Sequence, residues 1–261
     1  MNPIRVLVHG SLGKMGSEVI KAIYAAPDME VVASVDIGYS GEFRHSGQNM
    51  TPLSNDLESA LISSKPDVVV DFTNAEGCMS CGEIALGKGV RVVSGSTGLT
   101  DENLAKLSHL ATEARSGILI APNFALGMVV LLSLVRKIAP HFEYADIIEA
   151  HHEAKIDAPS GTALALAHAM TEHKEFCSNQ ADIIKLDGTT GGRIKGVGVH
   201  SLRQPGRSAH HEVVFGAPGQ SLTLRHDVLS RDCYMPGVLT AVRSVSDIEG
   251  LVFGLENILG L

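Results

Sequence analysis

The residues best placed to do chemistry lie together between positions 149 and 162: Glu149, His151, His152, Lys155, Asp157, Ser160, Gly161 and Thr162. Two adjacent histidines and a lysine concentrate proton donors and positive charge in one short stretch. Histidine changes charge near neutral pH, which fits it for moving a proton. Ser160, Gly161 and Thr162 read as the start of a helix, where free N–H groups and the positive end of the peptide dipoles favour an anion. Glycine lets a carboxylate approach the backbone, and the two hydroxyls add donors. The combination suits a small carboxylate-bearing substrate and a step that takes up a proton. No metal is expected, because no third or fourth ligand follows the histidine pair at a recognisable spacing. Nor is there a serine or cysteine nucleophile motif.

A second constellation stands near the start. Gly10, Ser11, Leu12, Gly13, Lys14, Met15 and Gly16 form a G-x-x-G-x-x-G turn between a strand-like and a helix-like segment. Glycine is required where a side chain would strike a pyrophosphate or the following helix. Leu12 takes the place of one glycine of the usual dinucleotide fingerprint. Asp36 lies at the end of the next strand-like run, where a carboxylate can accept hydrogen bonds from a ribose. The reading is a nicotinamide dinucleotide, which would supply a hydride to accompany the proton. Asp36 would repel a ribose 2′-phosphate, and no arginine follows it, so NADH is expected to serve at least as well as NADPH. Lys14 and Arg44 remain as partners for a 2′-phosphate from elsewhere in the chain. A further turn, Gly95, Ser96, Thr97 and Gly98, offers hydroxyls and N–H groups to a cofactor amide or a substrate carboxylate.

Both constellations need elements to hold them. Apolar runs at residues 4–9, 30–35, 67–72, 90–94 and 118–121 read as strands, and residues 14–26, 57–63, 75–87 and 104–114 as helices between them. Strands alternating with helices imply right-handed crossovers and a parallel sheet covered on both faces. Such a sheet places its ligand at the carboxyl ends of its strands. After Asn123 the pattern changes: a helix at 126–138, a strand at 145–150, a helix at 162–170, then strands at 197–203, 211–215 and 221–226. The turn Gly216-Ala217-Pro218-Gly219 joins the last two as a hairpin. The closing stretch, 236–261, has apolar residues at helical spacing and reads as helix. The expected fold is therefore α/β: a Rossmann-type parallel-sheet domain at 1–124, to which 236–261 returns, and at 125–235 an α+β substrate and oligomerisation domain with a mostly antiparallel sheet.

Composition narrows the classes. A net charge of −8 gives no basic stripe for nucleic acid. The richest apolar stretch, 125–135, is far too short to cross a bilayer, and residues 1–10 do not form a signal peptide. A cytoplasmic protein with reduced thiols is expected. Cys78 and Cys81 form a C-x-x-C, but they sit in a helical segment with no second ligand pair.

On these motifs the chain resembles the 4-hydroxy-tetrahydrodipicolinate (dihydrodipicolinate) reductases over nearly its whole length. The most specific element is the His-His-x-x-Lys-x-Asp-x-Pro-Ser-Gly-Thr block beginning at His151. The Gly10–Gly16 turn, Asp71-Phe72-Thr73, Gly95–Gly98, Ala121-Pro122-Asn123-Phe124, Arg225-His226-Asp227 and Met235-Pro236-Gly237 add to it. The resemblance implies NAD(P)H-dependent reduction of a cyclic dicarboxylate on the lysine and diaminopimelate route. His151 and Lys155 would then be the proton-handling residues. His152, Lys155, Thr97, Ser160, Gly161 and Thr162 would hold the carboxylates. Gly10 to Met15, Asp36, Gly95 to Thr97 and Ala121 to Phe124 would contact the cofactor. A homotetramer and closure of two domains about hinges near Phe124 and Pro236 are also implied. Ala125 stands where many members have serine, and the basic residue some members place after the strand-end acid is absent, so their NADPH preference does not transfer. Two rivals remain: an aspartate-semialdehyde type of dehydrogenase, for which Cys177 and Cys233 lack a histidine context, and a cofactor sensor, which would not need His151, His152 and Lys155 together.

Overall fold

The computed structural model describes residues 2–38, 43–46, 49–178 and 181–261. The chain separates into two compact units, one of Met1–Leu126 with Tyr234–Leu261, the other of Gly127–Cys233. In chain order the first contributes β1 (Ile4–His9), α1 (Lys14–Ala25), β2 (Met29–Val35), β3 (Phe43–Ser46), β4 (Asn49–Ser54), α2 (Leu57–Ser64), β5 (Val68–Asp71), α3 (Ala75–Gly87), β6 (Arg91–Ser94), α4 (Asp101–Glu113) and β7 (Gly117–Ile120). The second holds α5 (Leu126–Ile138), β8 (Tyr144–His151), α6 (Gly161–Met170), β9 (Gly192–Ile194), β10 (Val197–Arg203), β11 (Ala209–Ala217) and β12 (Gln220–Val228). The chain then re-enters the first unit with α7 (Met235–Ser244), β13 (Gly250–Phe253) and α8 (Glu256–Leu259).

The first sheet runs β13-β7-β6-β5-β1-β2-β4-β3, parallel throughout except for the β3/β4 hairpin. Its central strands are continuous apolar runs because both faces are covered: every residue of β5 and β7 is buried. On α1, Val19, Ile20 and Ile23 form the inward stripe, each isoleucine burial worth about 1.5–3 kcal/mol. Side chains set the helix starts: Asn74 accepts from the Gly77 N–H, and Thr100 with Asn103 closes a capping box on α4. From β1 the chain steps to β2 on one side, whereas β5, β6 and β7 build outward on the other. The winding therefore reverses between β1 and β5, where His9 and Asp71, the last residues of the two strands, are register partners.

The second sheet runs β12-β11-β8-β10-β9 and is antiparallel except for the β8/β10 pair. Phe215 anchors its core, with ring centroids 5.3 Å from Phe142 and 6.4 Å from Phe176. β11 and β12 close on a two-residue turn, Pro218-Gly219, which needs the positive φ of +76° that Gly219 supplies.

The α/β class expected from the sequence is the class observed, but its final segment is not. The stretch 236–261 is not helical throughout: α7 ends at Ser244, Gly250 breaks the helical course at φ +84°, and β13 pairs in parallel with β7. Its apolar spacing fits a helix face and a short edge strand equally, and only the waiting edge of β7 decides. The hairpin β3/β4 and the short strand β9 also went unread. Thr51 and Leu53 carry the burial of β4 and no residue of β9 is fully buried, in runs too short and too polar to show a period. The helix expected at 104–114 begins earlier, at Asp101, because Thr100 caps it.

Candidate active site

Along β8 burial alternates so that Ala145, Ile147, Glu149 and His151 face inward. A carboxylate on that face must be matched, and Glu149 is, by donors from Arg203, Ser201, His151 and Ser160. Arg203 at the end of β10 donates through Nη2 to Oε1 at 2.8 Å and through Nη1 to Oε2 at 2.9 Å. The Ser160 N–H reaches Oε1 at 3.2 Å, and His151 Nδ1 lies 2.5 Å from Oε2. Burial alone would raise the Glu149 carboxyl; the hydrogen bonds, Arg203 foremost, outweigh it and hold it at about 2. An ionised acceptor at Nδ1 makes that nitrogen the donor, so we assign Nε2 of His151 as the nitrogen free to exchange a proton. Burial pushes the His151 imidazolium down, Glu149 works against that, and the Lys155 and Arg203 cations add to it.

The segment from His152 to Ser160 is thus pinned at both ends by one carboxylate. Within it the Lys155 N–H donates to the His152 carbonyl at 3.1 Å, and Lys155 Nζ lies 2.6 Å from Asp157 Oδ1. Arg203 also binds the Asp157 carbonyl at 2.6 Å. Ser160 is buried and caps α6 by accepting from the Ala163 N–H. Gly161 is exposed, and a Cβ there would meet nothing within 4 Å, so the backbone at the helix start is open to a ligand. Thr162 is half-buried beside it, and His152 is exposed. The structure therefore brings His151, Lys155, Ser160, Gly161 and Thr162 into one loop-and-helix-start site within the second unit, whereas Thr97 stands on the first unit.

Two partners were missed from sequence. Arg203 lies 54 residues from Glu149 and reaches it only through the β8/β10 register. His211, on β11 opposite Glu149, has Nε2 3.1 Å from Ser160 Oγ and its ring edge-on to His151 at 5.3 Å. Burial first, then the nearby His151, push His211 down to about 4, so it is a neutral imidazole at ordinary pH. The alternation along β8 was the one available signal, since it announces a buried Glu149 in need of a partner.

In the first unit the glycine turn is as tight as its spacing implied. Gly10 adopts φ +75°, and a Cβ on it would come within 2.6 Å of the Phe72 carbonyl. At Gly16 a Cβ would lie 2.2 Å from the Gly10 carbonyl, so α1 packs directly on the turn. Gly13 provides no side-chain cap to α1, which leaves the first N–H groups of the helix for an anion. Asp36 sits against the turn, accepting from the Leu12 N–H at 2.9 Å and the Gly38 N–H at 3.4 Å. Ser11 is buried, its hydroxyl without a partner among the described residues. Lys14 is exposed and Met15 half-buried. Arg44, on β3, donates to Ser17 Oγ at 2.8 Å and so reaches α1. A turn closed to a Cβ at Gly10 and Gly16, an uncapped helix start that donates and a carboxylate that accepts are groups that could hold a dinucleotide.

Gly95 lies under the Phe72 ring, which a Cβ would strike, and Phe72 packs against Phe124 with the rings tilted by 54° and their centroids 5.7 Å apart. Ser96 is buried and Thr97 exposed. The Ala121 N–H binds the Ser94 carbonyl, and Asn123 Oδ1 accepts from the Ala125 N–H. Pro122 is exposed, while Ala121 and Phe124 are buried. Cys78 and Cys81 are buried in α3; burial pushes Cys78 up to about 12 and Cys81 well up, so both stay protonated. Ligand-type atoms of His9, Asp71 and Cys81 fall within 4.8 Å of one another. The Asp71 carboxylate is already filled by four hydrogen bonds.

Models of the dihydrodipicolinate reductase N-terminus and C-terminus match residues 4–124 and 127–259. The chain belongs to the dihydrodipicolinate reductase family. It is 43% identical over 263 residues to the 4-hydroxy-tetrahydrodipicolinate reductase of Dehalococcoides mccartyi, with all of both chains covered. Against the enzyme of that name from Picosynechococcus sp. it is 43% identical, with 99% of each chain covered. A dihydrodipicolinate reductase from Paenisporosarcina sp. TG-14, solved with dipicolinate bound, superposes with a TM-score of 0.89 at 37% identity, covering 98% of this chain and 99% of that one. The activity is accordingly that of a 4-hydroxy-tetrahydrodipicolinate reductase, an oxidoreductase of lysine and diaminopimelate biosynthesis, in a family that uses NAD(P)H. No helix among the described residues is long and apolar enough to cross a membrane.

Proposed function

We propose that the first unit is the dinucleotide-binding domain and the second the substrate and oligomerisation domain of this reductase. The dinucleotide would lie on Gly10, Ser11, Leu12, Gly13, Lys14 and Met15, with Asp36 at its ribose and Gly95 to Thr97 and Ala121 to Phe124 toward the nicotinamide. When bound, the nicotinamide supplies the hydride. The substrate is a small dicarboxylate, as the dipicolinate-bound relative supports. Gly161, Thr162 and Ser160 take one carboxylate at the start of α6, with His152 and Lys155 assisting. His151 and Lys155 handle the proton. The observation that carries this reading is Glu149, which joins His151 and the Ser160 N–H through one carboxylate and so holds the proton donor beside the anion site. Cationic and N–H groups there stabilise negative charge as it builds on the substrate.

NADH serves at least as well as NADPH. Asp36 engages the glycine turn where a 2′-phosphate would be repelled, and Arg44 on Ser17 is the cation that would receive one. The protein works in the cytoplasm as a homotetramer, without a metal. The test is oxidation of NADH and of NADPH by the pure protein, with substrate generated in situ by its synthase. Comparable or faster turnover with NADH is expected; a clear NADPH preference would overturn the Asp36 argument, and a sedimentation mass other than a tetramer would overturn the assembly.

A further inference from the structure

The carboxylate of Asp71 has no part in the reading above, yet it is the most heavily bonded acceptor in the first unit. It ends β5 at the point where the sheet reverses its winding, beside His9 at the end of β1. Neither residue lies open: Asp71 is fully buried and His9 nearly so. His9 Nδ1 approaches Oδ1 at 2.9 Å, and Thr73 Oγ1 donates to the same oxygen at 2.7 Å. Ser94 Oγ and Ser96 Oγ each donate to Oδ2 at 2.7 Å. Ser96 Oγ also accepts from the Thr73 N–H at 3.0 Å. Three strand ends, those of β1, β5 and β6, therefore meet on one carboxylate, and Gly10 and Gly95 follow directly on two of them. Desolvation alone would raise the Asp71 carboxyl, but the bonds from His9, Thr73 and Ser94 outweigh it and leave the group ionised.

Three of the four donors are neutral hydroxyls, which a neutral acceptor could match. A carboxylate instead sets a fixed negative charge in a dry interior, under the turns where an open parallel sheet takes its ligand. We infer that Asp71 is a positioning residue with an electrostatic role: it holds the Gly10 and Gly95 turns in register and favours the oxidised, cationic nicotinamide over the reduced, neutral one. This rests on the cofactor placement proposed above. A full charge near the ring at an effective dielectric of about 20 is enough to change the relative affinity about tenfold, or ~1.4 kcal/mol. The same preference favours the direction in which the cofactor gives up its hydride.

The readout is equilibrium binding of NADH and NAD⁺, by fluorescence and calorimetry, with no turnover involved. Asp71→Asn is expected to weaken NAD⁺ about tenfold relative to NADH. His9→Lys, which sets a compensating charge beside the carboxylate, should move the ratio in the same sense and serves should Asp71→Asn fail to fold. Thr73→Val, which deletes one donor and keeps the charge, should leave the ratio near the wild-type value. Equal loss of both nucleotides in Asp71→Asn and His9→Lys, or a ratio in Thr73→Val shifted as far as theirs, overturns the charge and leaves geometry alone. The placement is checked separately in the wild-type background: NADH affinity untouched by Asp36→Ala would remove the cofactor from this crevice, and the inference with it.

Discussion

Glu149→Gln is the substitution that most directly probes the site. Against burial, which would raise it, the wild-type carboxyl is held at about 2 instead of the ordinary 4.5, by Arg203, Ser201, His151 and the Ser160 N–H. That difference corresponds to about 3 kcal/mol of folding free energy at neutral pH. Because the folded-state value is depressed, the contribution is complete above pH 4.5 and fades as acid carries the solution toward pH 2. Glutamine keeps the shape and one acceptor, but its amide turns donors toward donors. The expected fall in Tm at pH 7 is roughly 6–12 °C. The gap between variant and wild type should narrow to about half or less by pH 3, where the wild type has itself lost most of the stabilisation. Catalysis should suffer separately. Without the carboxylate, His151 loses both the acceptor that fixes its tautomer and the charge that opposes its desolvation. Its imidazolium becomes more acidic, so the high-pH limb of kcat/KM should move to lower pH, with kcat down about a hundredfold or more. Thermal scans at pH 7 and pH 3 and a full pH–rate profile check both halves. A Tm gap that is constant from pH 7 to pH 3, together with an unmoved pH–rate profile, would refute the assignment of Glu149 to His151.

Lys155→Ala should lower turnover about a hundredfold or more while leaving the NADH dissociation constant nearly intact, since Lys155 sits on the second unit and pairs there with Asp157; equal collapse of NADH affinity would displace Lys155 from its role. Asp36→Ala is expected to weaken NADH by about tenfold and NADPH by less, as read from the two Michaelis constants, and equal effects would remove Asp36 from the ribose. Gly16→Ala forces a methyl to within 2.2 Å of the Gly10 carbonyl and should destabilise the protein by about 1–3 kcal/mol and abolish nucleotide binding; a wild-type melting curve would show that α1 can slide away from the turn.

The glycine turn and the 149–162 segment were legible because their constraints are local. Gly10 and Gly16 have no room for a Cβ, Asp36 follows on the next strand, and Ser160 caps the helix that begins one residue later. The matching groups were not legible. Arg203 and His211 reach Glu149 and Ser160 across strands whose register the linear pattern does not state. His9 reads as a strand end and Asp71 as part of the Asp71-Phe72-Thr73 motif, and only the strand order places them side by side. β13 stayed hidden for a related reason: a four-residue apolar run takes its conformation from the partner it finds.

That last strand also bears on how the protein is made. The second unit leaves the first after Leu126 and returns at Tyr234, so the first unit is an envelope written around an insertion. β7, buried along its whole length in the finished sheet, is synthesised some 130 residues before its outer neighbour β13. At translation speeds of about 5–20 residues per second, its apolar edge waits roughly 7–26 seconds for a partner. An emerging chain with such an edge is prone to pair with another copy. The first sheet therefore cannot be completed at this edge until residues 250–253 have emerged.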